Sequence, residues 1–156
     1  MPAITSDLPA LAQSIKDWGR ELGFQQVGIS GLDLAEHEQH LQRWLDAGYH
    51  GEMEYMGAHG SKRSHPDELV PGTLRVVSLR MDYLPGDTQM AQLLAKPEKA
   101  YISRYALGRD YHKLIRKRVQ QLADRIQAQI GPFGFRAFVD SAPVLEKAIA
   151  EKAGLG

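Results

Sequence analysis

The chain has 156 residues, of which 43% are hydrophobic and 24% charged, an ordinary globular composition that can build one sizeable core. Lys plus Arg equals Asp plus Glu at 19 each, so the net charge neither supports nor excludes a nucleic-acid partner. Cysteine is absent, which excludes disulfides, Cys-ligated zinc and Cys-ligated iron–sulfur clusters within these residues. No apolar run approaches the roughly 20 residues that span a bilayer, and the N-terminus lacks a signal-peptide core, so we expect a cytoplasmic protein without a membrane partner.

The first half of the chain predicts two helices around a strand. In order, the pattern predicts a helix over residues 8–22, a strand over 24–30, a helix over 33–48 and an irregular connection over 49–72. Asp7 or Ser6 caps the first helix, and Gly23 ends it. A long irregular connection inside a compact domain is typical of a ligand-binding loop.

The second half continues the alternation of strands and helices. We expect a strand over residues 73–83, a P-G-D turn at 85–87, strands over 100–106 and 135–141, and helices over 110–130 and 144–154. Asp110 is a candidate cap of the longer helix, and Pro143 suits the first turn of the last one. This order predicts an α/β or α+β class in one domain, with helices covering a sheet.

The densest polar cluster is S-R-Y-A-L-G-R-D-Y-H at residues 103–112, where a strand passes into the long helix. Such junctions form ligand sites in many α/β folds. Arg104 and Arg109 could hold phosphate or amide oxygens, and Gly108 allows close backbone approach. A capped helix start with a solvated basic rim explains the same residues, and their spacing leaves both interpretations open.

A second cluster places Asp140 at the end of an apolar predicted strand. A carboxyl group there could be partly desolvated and able to give up a proton at neutral pH. It could equally be a helix cap, with Glu146 as its capping-box partner, and the spacing alone favours the cap.

The remaining polar residues point to no separate site. The six histidines form no zinc-binding pattern, and we expect His37 and His40 to share a solvated helix face, so no metal site is predicted. Residues 51–72 read in isolation as a short helix, a basic loop and a turn. Dinucleotide, P-loop and hydrolase-elbow motifs are absent from the sequence.

Four segments, taken in this order, carry a family resemblance. They are W-L-D-A-G-Y-H-G-E-M-E-Y-M from Trp44, K-R and L-V-P-G between Lys62 and Gly72, I-S-R-Y-A-L-G-R-D-Y-H-K from Ile102, and V-D-S-A-P-V-L-E-K from Val139. Together they resemble the epoxyqueuosine reductases, cobalamin- and iron–sulfur-dependent enzymes related to reductive dehalogenases. The resemblance spans essentially the whole chain.

The resemblance implies a nitroreductase-like mixed sheet covered by helices. This domain, residues 1–156, would bind cobalamin and substrate, with no side chain replacing the lower base of the cofactor. A ferredoxin-like domain with two 4Fe–4S clusters would follow beyond Gly156, where its cysteine ligands would lie. The isolated chain is therefore expected to be incomplete for turnover.

The family reaction, as the resemblance implies it, reduces epoxyqueuosine at the tRNA wobble position to queuosine, the last step of queuosine biosynthesis. An external donor supplies the electrons. Asp140 matches the family's proton donor. The resemblance assigns nine further residues to the cofactor or substrate pocket: Arg63, Ser103, Arg104, Tyr105, Gly108, Asp110, Tyr111, His112 and Ser141.

Two other functions are compatible with the same sequence, and one basic surface is a candidate for binding tRNA. The chain could be a non-catalytic corrinoid- or tRNA-binding module whose Asp140 only caps a helix, or a flavin-dependent nitroreductase-like enzyme, because fold alone does not fix function. For tRNA we expect basic residues near Arg104 and at 116–118 to meet anticodon-loop phosphates. The alternative is that they form the solvated side of the long helix.

Overall fold

The computed structural model describes residues 7–84, 86 and 89–155. Its helices are Leu8–Glu21 (α1), Ala35–Asp46 (α2), Pro66–Leu69 (α3), Met90–Leu94 (α4), Tyr111–Ile130 (α5) and Glu146–Lys152 (α6). Its strands are Gln26–Ser30 (β1) and Val76–Arg80 (β2). Short 3-10 turns occur at Glu54–Met56, Gly60–Arg63 and Arg104–Ala106. The predicted class of mixed helix and sheet is confirmed.

Helices α1 and α5 begin or end at residues that short-range chemistry predicts. Asp7 accepts a hydrogen bond from the backbone N–H of Ala10 at 3.3 Å, which confirms it as the cap of α1. The alternative cap, Ser6, lies outside the described residues, as do Pro85 and Asp87 of the predicted P-G-D turn. Gly131 follows α5 with a φ of 88°, a left-handed conformation that glycine adopts without strain.

The sheet is an antiparallel pair with a helix layer on each face. Gln26 pairs with Arg80 at one end and Ser30 with Val76 at the other. Successive side chains of a strand point to opposite faces. Val27 therefore joins the core beneath α1 and α5, whereas Gly28 lies against Ala153 just after α6.

The core lies on the α1 and α5 side of the sheet. It is built from five buried side chains: Ile15, Phe24, Val27, Leu122 and Ile126. The 3.6-residue period of α5 directs Leu122 and Ile126 to one face, so this helix is anchored by its C-terminal half. Its N-terminal turn is thereby presented at the surface at a fixed position.

Two predicted strands, at residues 100–106 and 135–141, are wrong. Arg104–Ala106 forms a 3-10 turn, and residues 135–141 make no strand ladder. Both segments have the β-branched and aromatic composition of strands, but a strand also requires a neighbouring backbone for its hydrogen bonds. Since β1 and β2 pair with each other, the sheet within the described residues is smaller than expected.

The last helix begins two residues later than predicted. The backbone N–H of Leu145 donates to the carbonyl oxygen of Arg63 at 2.9 Å, and this long-range bond lies at the N-cap position of α6. Pro143 therefore stands outside the first turn. The capping interpretation of Asp140 is also wrong, because the N-cap residue is Leu145 and no side chain caps this helix.

No helix within residues 7–84, 86 and 89–155 is both long enough and apolar enough to cross a membrane. The twenty-residue α5 reaches the length, but charged side chains occupy its outer face.

The close packing of α6 on the sheet predicts the effect of one added methyl group. We expect Gly28→Ala to lower the free energy of unfolding by about 1–3 kcal/mol, because its Cβ would overlap the backbone oxygen and Cβ of Ala153. Urea unfolding followed by circular dichroism measures this loss. Gly31→Ala is the matched control, since a Cβ at Gly31 meets no atom within 4 Å and should change stability by less than about 0.5 kcal/mol. Equal stability of the two variants would contradict the close packing.

Candidate active site

Asp140 occupies an unusual backbone conformation at the end of the irregular segment that follows α5. Its φ is +55°, and it is the one residue other than glycine with a positive φ in the part of the chain that the structure describes. Asp and Asn tolerate this region better than other side chains with a Cβ, because their short polar groups form local hydrogen bonds. Non-glycine residues held in this region cluster at functional sites.

The carboxyl group of Asp140 meets the first turn of α5. The Tyr111 hydroxyl donates to Asp140 Oδ2 at 2.5 Å, and His112 Nε2 lies 3.5 Å from the same oxygen. The two rings stack, with centroids 4.1 Å apart and an interplanar angle of 25°. Tyr111 and His112, from the polar cluster at residues 103–112, therefore form one constellation with Asp140 of the second cluster.

Asp110 serves both the helix and the constellation. Its Oδ1 accepts the backbone N–H of His112 at 3.0 Å, which confirms it as the cap of α5, and it also lies 2.9 Å from His112 Nδ1. The hydrogen bond with the His112 side chain holds the pKa of Asp110 below its usual range. The imidazole thus stands between two carboxylates, one at each ring nitrogen.

Tyr111 is the neutral donor of this group. Its hydrogen bond to Asp140, reinforced by the negative charge of that carboxylate, raises the pKa of Tyr111 to about 12 from the ordinary 10.0. The phenol therefore keeps its proton at neutral pH. The Asp140 side chain is 53% exposed, so its carboxyl group is partly covered by its neighbours and partly open to solvent.

An aromatic strip, formed by Tyr83, Tyr105, Tyr111 and His112, leads away from Asp140. Tyr105 packs edge-on against Tyr111 at 6.2 Å and against Tyr83 at 6.4 Å. Tyr105 is 55% exposed and Tyr83 64% exposed, so the strip presents apolar ring surface to solvent. Tyr83 was missed in the sequence, although an aromatic residue at the end of a predicted strand was a usable signal.

Arg63 has a structural task that its sequence context did not reveal. Its Nε donates to the carbonyl oxygen of Met56 at 2.9 Å and its Nη2 to that of Tyr55 at 2.5 Å. The Arg63 side chain is buried, and the backbone oxygen of Arg63 accepts the hydrogen bond from the Leu145 N–H. Arg63 thus connects the 3-10 turn at Glu54–Met56 to the loop that carries Asp140. Its assignment to the cofactor or substrate pocket stays a prediction.

An open groove of about 780 Å³ runs between α2 and α6, with Arg63 and Asp140 both in its wall. His37, His40 and Trp44 of α2 line it as well, so the histidine face expected to be merely solvated borders this groove. Glu146 faces it from α6. Partial loss of water around Glu146, together with the negative charge of Asp140, raises the pKa of this carboxyl group.

Six of the nine predicted pocket residues lie outside the hydrogen-bonded constellation, and two of these, Arg63 and Tyr105, are described above. Ser103 and Ser141 are exposed, and Gly108 turns the chain before α5 with a φ of +89°. Arg104 packs its guanidinium 5.6 Å from the Tyr101 ring, while its Nε is buried without a hydrogen-bond partner in the described part of the chain. Within that same part, no three His, Asp or Glu side chains are grouped to hold a metal ion.

Comparison with known proteins identifies the family. The family model described as "Epoxyqueuosine reductase QueG, DUF1730" matches residues 63–141, half of the chain, including Arg63, the first turn of α5 and Asp140. The chain belongs to this family. The resemblance drawn from the four sequence segments is thereby confirmed.

Individual relatives of this family agree with the assignment. The chain is 85% identical over 150 residues to the epoxyqueuosine reductase of Pseudomonas aeruginosa, covering 96% of this chain and 42% of the relative. It is 59% identical to that of Escherichia coli, covering 96% of this chain and 40% of the relative. A crystal structure of a selenomethionine-labelled epoxyqueuosine reductase has the same fold, with a TM-score of 0.80 and 20% identity over 96% of this chain and 40% of that one. The chain thus spans about two fifths of the length of these relatives.

The raised pKa of Tyr111 predicts how its contribution to stability depends on pH. The hydrogen bond stabilises the fold fully below pH 10, the ordinary pKa of the phenol in the unfolded chain, and this stabilisation is lost as pH rises towards about 12. We therefore expect the stability difference between the parent and Tyr111→Phe to be constant at neutral pH and to shrink above pH 10. Chemical unfolding at a series of pH values measures this difference. Tyr49→Phe, an exposed tyrosine outside the strip, should give no such trend.

Proposed function

We propose that this chain is the cobalamin- and substrate-binding part of an oxidoreductase that reduces epoxyqueuosine in tRNA to queuosine. The observation that carries the proposal is the meeting of Asp140 with Tyr111 and His112, because it joins both specific motifs of the family at one carboxyl oxygen. Family membership supports this reductase over the corrinoid- or tRNA-binding module and over the flavin-dependent enzyme. The tRNA substrate implies a cytoplasmic location.

The reaction defines what the protein must supply. Converting the epoxide to an alkene consumes two electrons and two protons, breaks both C–O bonds and releases the oxygen as water. As the first C–O bond breaks, negative charge develops on the oxygen, and an acid placed there lowers the barrier. Asp140 is the group we assign to this proton transfer.

Tyr111 and His112 prepare Asp140 for that task. Asp140 gives its proton to the substrate oxygen in each turnover, so the acid has to be reloaded before the next one, and the groups beside its Oδ2 are the Tyr111 hydroxyl and His112 Nε2. Protonated His112 can pass its Nε2 proton to Asp140 Oδ2 across the 3.5 Å that separate them. Asp110 at Nδ1 keeps the imidazole aligned for this transfer. Tyr111 holds the carboxylate in place and keeps its own proton.

The residues around this constellation fit a corrinoid. A flat, largely apolar macrocycle with amide groups at its edge needs exposed ring surface and buried polar donors beside it. The aromatic strip provides the first, and the unpartnered Nε of Arg104 provides a donor of the second kind. Both nitrogens of His112 face carboxylates, so this side chain belongs to the proton-bearing constellation. Bound cobalamin would supply the reduced cobalt that delivers electrons to the epoxide carbon.

The electrons must come from outside these 156 residues. The chain contains no cysteine, so the two 4Fe–4S clusters that we assign to the complete protein need ligands in the part of the relatives that this chain does not span. An external donor would reduce those clusters.

The first test of the proposal changes the proton donor. In the complete protein, loaded with cobalamin and clusters and given a strong reductant, Asp140→Asn should lower the rate of epoxyqueuosine reduction in tRNA by at least about 100-fold. Asn tolerates the positive φ of this position and keeps the size of the side chain, so fold and cobalamin binding should persist. Mass spectrometry of the nucleosides follows the conversion.

Asp124→Asn is the matched control, because Asp124 is an exposed aspartate of α5 beyond the constellation. It should react near the parent rate. An Asp140→Asn enzyme within a few-fold of the parent would defeat the catalytic assignment of Asp140.

The second test concerns the cofactor and has a spectroscopic readout. We expect this chain to bind cobalamin in its base-off form, which an absorbance titration detects as a shift of the corrinoid bands. Tyr105→Ala should weaken this binding because it interrupts the aromatic strip, whereas Tyr49→Ala removes an exposed ring outside it and should not. No spectral change at saturating corrinoid would sink the assignment of this pocket.

A further inference from the structure

The proposed reaction needs a second proton in each turnover, which Asp140 alone does not hold. The epoxide oxygen leaves as water, so it takes up one proton for each C–O bond that breaks. A single carboxyl group carries one proton, and transfer from His112 across 3.5 Å has to take place before Asp140 can act again. A second acid in the same cavity would have its proton ready when the second C–O bond breaks.

Glu146 lies in the same groove as Asp140. Both side chains line this cavity of about 780 Å³, six residues apart on the segment that enters α6. The main chain between them is fixed, because the backbone N–H of Leu145 donates to the carbonyl oxygen of Arg63 at 2.9 Å. Glu146 is the first residue of α6, so the helix sets the direction in which its side chain leaves the backbone.

The surroundings of Glu146 favour its protonated form. Apolar side chains close to it in the sequence line the groove as well: Ala142, Val144, Leu145 and Ala148. Partial loss of water, together with the charge of Asp140, raises the pKa of Glu146, so Glu146 keeps its proton when Asp140 has become a carboxylate. Part of the Glu146 residue is open to solvent, from which a lost proton can be replaced.

No salt bridge within residues 7–84, 86 and 89–155 neutralises Glu146. The guanidinium of Arg63 donates to two backbone carbonyl groups, and His37 lies 4.0 Å from Glu151. Lys147 follows Glu146 directly, and adjacent residues of a helix do not face each other. The carboxyl group of Glu146 is therefore available to a substrate in the groove.

We propose that Glu146 is a second catalytic acid, which gives its proton to the substrate oxygen as the second C–O bond breaks. This inference rests on the proposed function and adds a residue to it. First, one C–O bond breaks, the oxygen takes the Asp140 proton and becomes a hydroxyl group. Then the other C–O bond breaks, the hydroxyl group takes the Glu146 proton and leaves as water, and the carbon–carbon double bond forms. The two electrons that balance these steps come from the reduced cobalt of the proposed cofactor.

The test uses the complete protein that contains this chain, loaded with cobalamin and clusters and given epoxyqueuosine-containing tRNA and a strong reductant. Glu146→Gln keeps the size of the side chain but has no acidic proton, so kcat should fall by at least about 100-fold while KM stays close to the parent value. Glu146→Asp keeps the acid and should react at least about fivefold faster than Glu146→Gln. Glu151→Gln is the matched control on the same helix, because its side chain is 71% exposed, and it should react near the parent rate. Absorbance titration with cobalamin checks that each variant is folded.

Chemical rescue separates proton delivery from a structural role. Glu146→Ala leaves space in the groove, so added formate, a small carboxylic acid, should raise its rate by at least about fivefold and leave Glu151→Ala unchanged. A Glu146→Gln enzyme within a few-fold of the parent kcat would mean that Asp140 delivers both protons and would overturn the proposal. A slow Glu146→Ala enzyme that formate does not accelerate would overturn it as well. A parent protein that does not convert epoxyqueuosine would instead overturn the proposed function, and this inference with it.

Discussion

The hydrogen bond from the Tyr111 hydroxyl to Asp140 Oδ2 is the contact on which the candidate site depends. Residues 131–145 leave the C-terminal end of α5 and return to its N-terminal end. The Tyr111–Asp140 hydrogen bond fixes the path of this loop relative to the helix. The same bond holds the carboxyl group beside His112. The positive φ of Asp140 is compatible with this path because an aspartate tolerates the left-handed region.

Helix α5 combines three tasks by its length and periodicity. Its C-terminal half buries Leu122 and Ile126 in the core and so immobilises the helix. Its first turn carries Tyr111 and His112, held by the cap at Asp110. Its outer face bears the exposed cations Lys113, Arg116 and Lys117. A rigid element that anchors both the proton-bearing groups and a charged surface keeps their separation constant, which a loop could not do.

Arg63 links a second region to the site without contacting Asp140. Its guanidinium holds the carbonyl groups of Tyr55 and Met56, and its backbone oxygen fixes Leu145, so the long connection after α2 supports the loop after α5. Removing this buried side chain would take the hydrogen-bond donor away from two backbone carbonyl groups, those of Tyr55 and Met56, which is costly. This explains structurally why a basic residue stands in an irregular segment where the sequence suggested a solvated loop.

The sequence by itself determined helices α1, α2, α5 and α6, the candidate caps Asp7 and Asp110, the segments that form β1 and β2, and the family, because each depends on residues a few positions apart or on an ordered set of motifs. Only the tertiary structure decided that residues 100–106 and 135–141 are not strands, since a strand needs a partner that composition cannot supply. It also decided that Asp140 caps no helix and instead meets Tyr111, 29 residues away. That contact results from the packing of α5 on the sheet and from the return of the following loop, and no local pattern encodes either of them.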